Sequence, residues 1–294
     1  MTTYDSNSTK SGSSDSPKEV HSHSHTLTQS SPVEWKQLLP THRLPVIAKT
    51  PLMVAIGVYI SGGRFDNPAV AVTMLVTGLL WAILYAINEA TDLVLEQQFP
   101  LERAMIMTLL ALGTAVCIIA AVISPMLGAL CMAMAVGQLA YCAPPVRLKR
   151  YWWAILLLSG MLNPVLRLEC GALWGTHTIP PLVYAAFMSL HVGASIRSRI
   201  LQRERDRQLS YRTAPLGMKW AGIACTILGL FGCYGLCVQG VLPRVFVWFT
   251  TVALPFSLYA WSPRVSNVSH LRRGWIWFAI LAPIAGAILY LSSR

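Results

Sequence analysis

The sequence predicts an all-α integral membrane protein, a bundle of about nine transmembrane helices with a cytosolic N-terminus. Three observations predict it. The chain of 294 residues is 54% hydrophobic and only 12% charged, where a soluble domain carries about 25% charged residues. Its apolar residues fall in continuous runs, each near the roughly 20 residues a helix needs to cross a bilayer core. The runs do not alternate apolar with polar, as the strands of a membrane barrel do, and helices and closed barrels are the structures that satisfy their backbone in lipid.

The elements follow in order. Residues 1–43 are rich in Ser, Thr, His and Pro and hold no apolar core of a signal peptide. They read as a disordered cytosolic tail. His21, His23 and His25 alternate with serines there, and a polar linker is preferred over a metal-binding tract. The transmembrane domain covers 44–294, with spans at 44–62, 69–88, 104–123, 125–142, 152–173, 178–196, 219–239, 242–261 and 273–292. All seven cysteines lie in or beside these spans and none forms a CxxC pair. They read as small packing residues rather than disulfide or zinc ligands.

The net charge of +11 does not imply nucleic acid, because the cations are segregated. With the N-terminus inside, only Arg64, Arg244 and Arg294 fall on the outer side, and Lys49 and Arg167 fall within spans. The remaining Lys and Arg residues sit in inner segments, as the positive-inside rule requires. The loops around 89–103, 143–151 and 197–218 then share one face of the membrane.

The stretch "YAINEATDLVLEQQF" closes the second span with acids. Asn88, Asp92 and Glu96 recur every four residues and stack along one helical stripe, with Glu89 beside it. Like charges one turn apart repel, and a hard divalent cation resolves that, since Mg2+ takes carboxylate oxygens together with substrate phosphate. On spacing alone, a helix end whose acids face water fits equally well. The fourth span ends in Tyr141-Cys142-Ala143-Pro144-Pro145-Val146-Arg147-Leu148-Lys149, and the sixth is followed by Asp206-Arg207 and Arg212-Thr213-Ala214-Pro215.

In these three segments the chain resembles the UbiA superfamily of intramembrane prenyltransferases. That superfamily carries an NDxxDxxxD motif after helix two, YSxPPxRLK after helix four and a second acidic motif after helix six. The resemblance covers about residues 44–294. It implies an all-α bundle with a central cavity, and Mg2+ held by Asn88, Glu89, Asp92, Glu96 and Asp206. It implies a prenyl diphosphate as donor substrate, with Arg147 and Lys149 stabilising the departing diphosphate and Asn88, Asp92, Tyr141 and Lys149 as the catalytic group. The implied partners are the bilayer and a lipophilic, aromatic acceptor, with Asn163 and Arg167 of the fifth span on its side of the pocket. No nucleic acid is implied.

The sequence departs from the pattern in the second motif. Four and seven residues before Asp206, where acids are usual, stand Gln202 and Arg199. An arginine cannot bind Mg2+, but Arg199 or Arg203 can grip diphosphate oxygens by a charge-assisted fork. The altered motif keeps two further readings open: a UbiA-type terpene cyclase that needs no acceptor, and a prenyl-lipid binding protein without turnover.

The tail offers no apolar face to pack. Deleting residues 1–38 is therefore expected to leave membrane insertion and the implied turnover unchanged, checked by membrane abundance and rate of the truncated chain. A large loss of rate at equal abundance would assign the tail to the site.

Overall fold

The computed structural model describes residues 44–95, 103–143, 146–208, 211–265 and 281–293. The predicted tail, residues 1–43, and Glu96 lie outside them. Among the described residues the helices are α1 (Leu44–Ile60), α2 (Pro68–Leu95), α3 (Arg103–Ile123), α4 (Pro125–Cys142), α5 (Trp152–Ala172) and α6 (Pro181–Leu201). A short α7 (Arg203–Gln208) follows, then α8 (Met218–Val238), α9 (Phe246–Ala260) and α10 (Leu281–Ser292). Apart from α7, each falls on one predicted span. There is no strand among them, and one isolated bridge joins Tyr151 to Arg212.

Prolines set several boundaries. Pro125 and Pro181 occupy first-turn positions of α4 and α6, where the missing N–H costs nothing and the fixed φ suits a helix. Pro164 lies inside the fifth span, and there the helix answers with a π segment over Leu156–Leu162. The Asn163 N–H reaches back five residues to the Leu158 carbonyl. The wider turn accommodates a residue that cannot donate to the ladder. Asn163 and Arg167 are delivered into the interior just beyond it, both buried.

Two apolar cores hold the bundle. One joins Leu80, Trp81 and Leu84 of α2 to Leu127, Cys131 and Met134 of α4. The other joins Ile56 of α1 and Leu168 of α5 to Phe187 of α6, Leu236 of α8 and Leu289 of α10. Outward-facing positions are apolar too: Leu75, Val122, Trp220, Phe231 and Trp248 are each more than two-thirds exposed. Such a surface is unsuited to water and suited to acyl chains. Five helices are long and apolar enough to cross a bilayer, and three shorter apolar ones accompany them. The chain is a multi-pass membrane protein.

Lipid offers helices no hydrophobic reason to associate, so close backbone approach between small residues does the work. At the α1–α5 crossing a Cβ on Gly57 would sit on the Leu168 carbonyl, and one on Gly171 would sit on the Val54 carbonyl. Gly171→Leu is therefore expected to separate these helices and cost at least the roughly 1–3 kcal/mol of core overpacking. A lowered midpoint of thermal unfolding, read by size-exclusion chromatography of heated, detergent-solubilised protein, checks it. An unchanged midpoint would show that the crossing is not close-packed.

Candidate active site

At one end of the bundle, five segments bring charge together. α2 continues past the predicted limit of 88 to Leu95, so Asn88, Glu89 and Asp92 stand on its last turns rather than beyond them. A 3-10 turn, Leu148–Arg150, presents Lys149, whose buried ammonium donates to the Asp92 carboxylate in an ion pair. Burial pushes the Lys149 pKa down, and Asp92 opposes it. Arg199, in the last turn of α6, is also buried. Its guanidinium donates to Asp206 Oδ1 at 3.0 Å and to the Tyr141 hydroxyl, and it approaches the Lys149 carbonyl at 3.4 Å. Tyr141, Lys149, Arg199 and Asp206 thus form one network next to Asp92.

The two loops that carry these groups are latched to each other. The Arg212 N–H donates to the Arg150 carbonyl at 2.9 Å, and the Tyr211 N–H donates to the Asp206 carbonyl at 2.7 Å. The Arg212 guanidinium lies 5.3 Å from the Tyr151 ring centroid, a cation–π distance.

Arg147 is held differently. It has φ 42°, the left-handed region, and is the one described non-glycine residue with positive φ. Such a backbone costs of order 1–3 kcal/mol and is kept where the surroundings demand it. The side chain is turned inward and buried, 5.1 Å over the Tyr211 ring. Its Nε and Nη2 are buried with no hydrogen-bond partner among the described residues, although Asp92 exerts a coulombic pull on it. Burial lowers the Arg147 pKa and raises that of Tyr211. Two unsatisfied cationic N–H groups beside an ion pair are what an anion-binding site presents before its anion arrives.

The residues expected from sequence therefore divide. Asp92, Tyr141, Arg147, Lys149, Arg199 and Asp206 gather at this end. Asn88, one turn before Asp92 on the same stripe of α2, has Oδ1 buried without a hydrogen-bond partner. Arg203 lies apart, in a cleft of about 450 Å3 shared with Arg197, Arg207 and Lys219. Arg167 lies deeper, its guanidinium 4.0 Å over the Trp81 ring, while Glu169 on the next face accepts from the Tyr184 hydroxyl. For a divalent cation, Asn88 Oδ1 with the carboxylates of Glu89 and Asp92 is a fitting oxygen donor set once Asp92 exchanges partners. Arg199, the residue standing where the pattern has an acid, engages Asp206 through Oδ1. Among the described residues no three histidines, cysteines or acids already converge as a metal cage. Sequence reasoning missed the Arg199–Asp206 pair and the role of the Arg147 backbone.

This set of groups brings cations and carboxylates together at one end of the bundle. The fold is that of UbiA-type membrane proteins. The UbiA homolog from Archaeoglobus fulgidus bound to DMAPP and Mg2+ matches with TM-score 0.62 and 14% identity, over 86% of this chain and 99% of that one. The same homolog bound to GPP and Mg2+ matches with TM-score 0.60 and 15% identity, over 86% and 99%. The structure of a digeranylgeranylglyceryl phosphate synthase matches with TM-score 0.56 and 14% identity, over 88% and 96%. No family model and no curated protein sequence matches the chain.

Breaking the buried pair on one side leaves a charge uncompensated, which costs about 3–5 kcal/mol, while replacing both partners by apolar groups is often neutral. Arg199→Met is expected to lower the unfolding midpoint sharply, and Arg199→Met with Asp206→Leu to recover most of the loss. If the double variant is as unstable as the single one, the pair is not the stabilising contact.

Proposed function

We propose that the protein is a Mg2+-dependent intramembrane prenyltransferase that moves an isoprenoid from its diphosphate to a lipophilic, aromatic acceptor, with its site facing the cytosol. The observation that carries this reading is Arg147. Its buried guanidinium, with Nε and Nη2 unsatisfied, stands beside the Asp92–Lys149 pair, in a fold with solved examples that include one homolog bound to DMAPP or GPP with Mg2+.

The chemistry follows from where the charge goes. The allylic C–O bond breaks with its electron pair leaving on the diphosphate, and the carbocation is captured by an acceptor carbon that then loses a proton. Magnesium, held by Asn88, Glu89 and Asp92, would supply Lewis-acid neutralisation of the leaving group. Lys149, released from Asp92, and Arg147 hold diphosphate oxygens and stabilise the charge that grows on them. Arg199 keeps Tyr141 and Asp206 in place, and its direct contact with phosphate requires exchange of the Asp206 carboxylate. Asn163 and Arg167, deeper in α5, stand on the acceptor side.

Membranes containing the protein, given DMAPP, GPP or farnesyl diphosphate with Mg2+ and a panel of phenolic acceptors, are expected to release diphosphate and form a prenylated acceptor. Asp92→Asn and Lys149→Met are each expected to lower the rate at least 100-fold at equal abundance, and EDTA to abolish it. Hydrocarbon or alcohol formed without any acceptor would identify a cyclase instead. No release from any donor, with diphosphate still bound, would identify a binding protein.

A further inference from the structure

A second cavity, of about 340 Å3, lies between α1, α6, α8, α9 and α10, away from the Asp92–Lys149 pair. That volume is within the roughly 300–1,000 Å3 of small-molecule sites. Its wall is nearly all apolar, including Ile56, Phe187, Leu230, Phe246 and Ala253. On α8 the lining runs from Thr226 to Cys237, a rise of roughly 16 Å at 1.5 Å per residue, so the space is elongated along the helix axes.

Lys49 of α1 faces into this space. No described acid pairs with it. The ion pairs among the described residues join Arg64 to Asp66, Lys149 to Asp92, Arg199 to Asp206 and Arg207 to Glu204, and none includes Lys49. The groups that do act on it are cations or imidazole: Arg167 repels Lys49, and Lys49 in turn acts on His191. His191 lines the same cavity. Its Nδ1 lies 2.9 Å from the Phe187 carbonyl, and its Nε2 is buried without a partner. Arg197, also on the wall, acts as a structural clamp, donating to the carbonyls of Ala260 at 2.5 Å and Val265 at 2.6 Å. The cavity thus has an apolar length and a Lys49 amine with no acid partner among the described residues, with an unpartnered imidazole nitrogen near it.

An ammonium in a membrane interior is kept when something neutralises it. A neutral prenyl tail would fill the volume and leave Lys49 uncompensated. A phosphate would bring more negative charge than one ammonium offsets. We propose that this cavity binds an elongated, bilayer-soluble monocarboxylate, its carboxylate paired with Lys49 and its chain lying along α8. The site does not depend on the prenyl-transfer reading.

The test uses the full chain in nanodiscs of zwitterionic lipid, with no diphosphate present. Decanoate bearing a terminal diazirine is photolysed in the sample, and the crosslinks are mapped by mass spectrometry. Crosslinks are expected on α8 and α9, at least tenfold stronger than those from the matched decanol probe. Lys49→Met should erase that preference, Lys49→Arg should keep it, and Ala253→Trp, which fills the cavity, should abolish labelling by either probe. Asp92→Asn should leave labelling unchanged, which separates this site from the diphosphate site. Equal labelling by the acid and the alcohol, or a preference that survives Lys49→Met, would overturn the proposal. If Lys49→Met does not fold, the wild-type comparison of acid with alcohol decides.

Discussion

Cation–carboxylate pairing out of water is the constraint on which the working end of this bundle depends. Asp92 and Asp206 lie on different segments, and neither could stay ionised in that environment alone. Lys149 and Arg199 answer them. To do so the chain must bring the α4–α5 loop under the end of α2 and turn it tightly enough to aim Lys149 inward. The 3-10 turn and the left-handed Arg147 are the local result of that demand. The loop after α7 is then fixed by the hydrogen bonds from Tyr211 and Arg212. The pairs specify the loops more than they add net stability.

The interior of the bundle solves a similar problem by other means. Arg167 has no acid beside it among the described residues. It is stacked on Trp81 instead, so the face of an indole takes the part of a counterion. Tyr184 donates to Glu169, so that acid is satisfied without a cation. These arrangements need rigid spacing between α2, α5 and α6. The glycine contacts at the α1–α5 crossing and the Gly160 approach to Val192 of α6 provide it. The π segment sits between them, where Pro164 forces the ladder to widen.

Much of this was legible in the sequence. Each of the nine apolar runs carries a helix among the described residues, because hydrophobic length in lipid leaves few alternatives. The Asn88–Asp92 stripe was visible as a four-residue repeat, and the "PPVRLK" segment as a cationic turn. The limits of α2 were not visible, because a helix end carrying acids looks like a loop when hydropathy alone is read. The partners of the charges were hidden as well. Nothing in the spacing of Arg199 and Asp206 says that they pair rather than face a ligand, since the intervening turn at Gln202 decides it. Lys49 reads as a stray charge in a span until the helices around it are placed and no acid pairs with it among the described residues.

The Arg199–Asp206 pair bears on what the altered second motif retains. In the pattern that the sequence resembles, acids stand at positions 199, 202 and 206, where this chain has Arg199, Gln202 and Asp206. A guanidinium facing one carboxylate is a neutral unit, so Asp206 has a counterion in Arg199. Coordination is lost, because a guanidinium offers donors and no open ligand positions. A phosphate that would have been bridged by metal must instead meet N–H groups, and Arg147 supplies those with its two unsatisfied donors. Under the proposed function, the α2 stripe would hold metal and arginine N–H groups would meet the far side of the diphosphate. An arginine fork is planar and fixed in direction, so the site should discriminate more sharply among phosphate orientations than a pair of hydrated ions would.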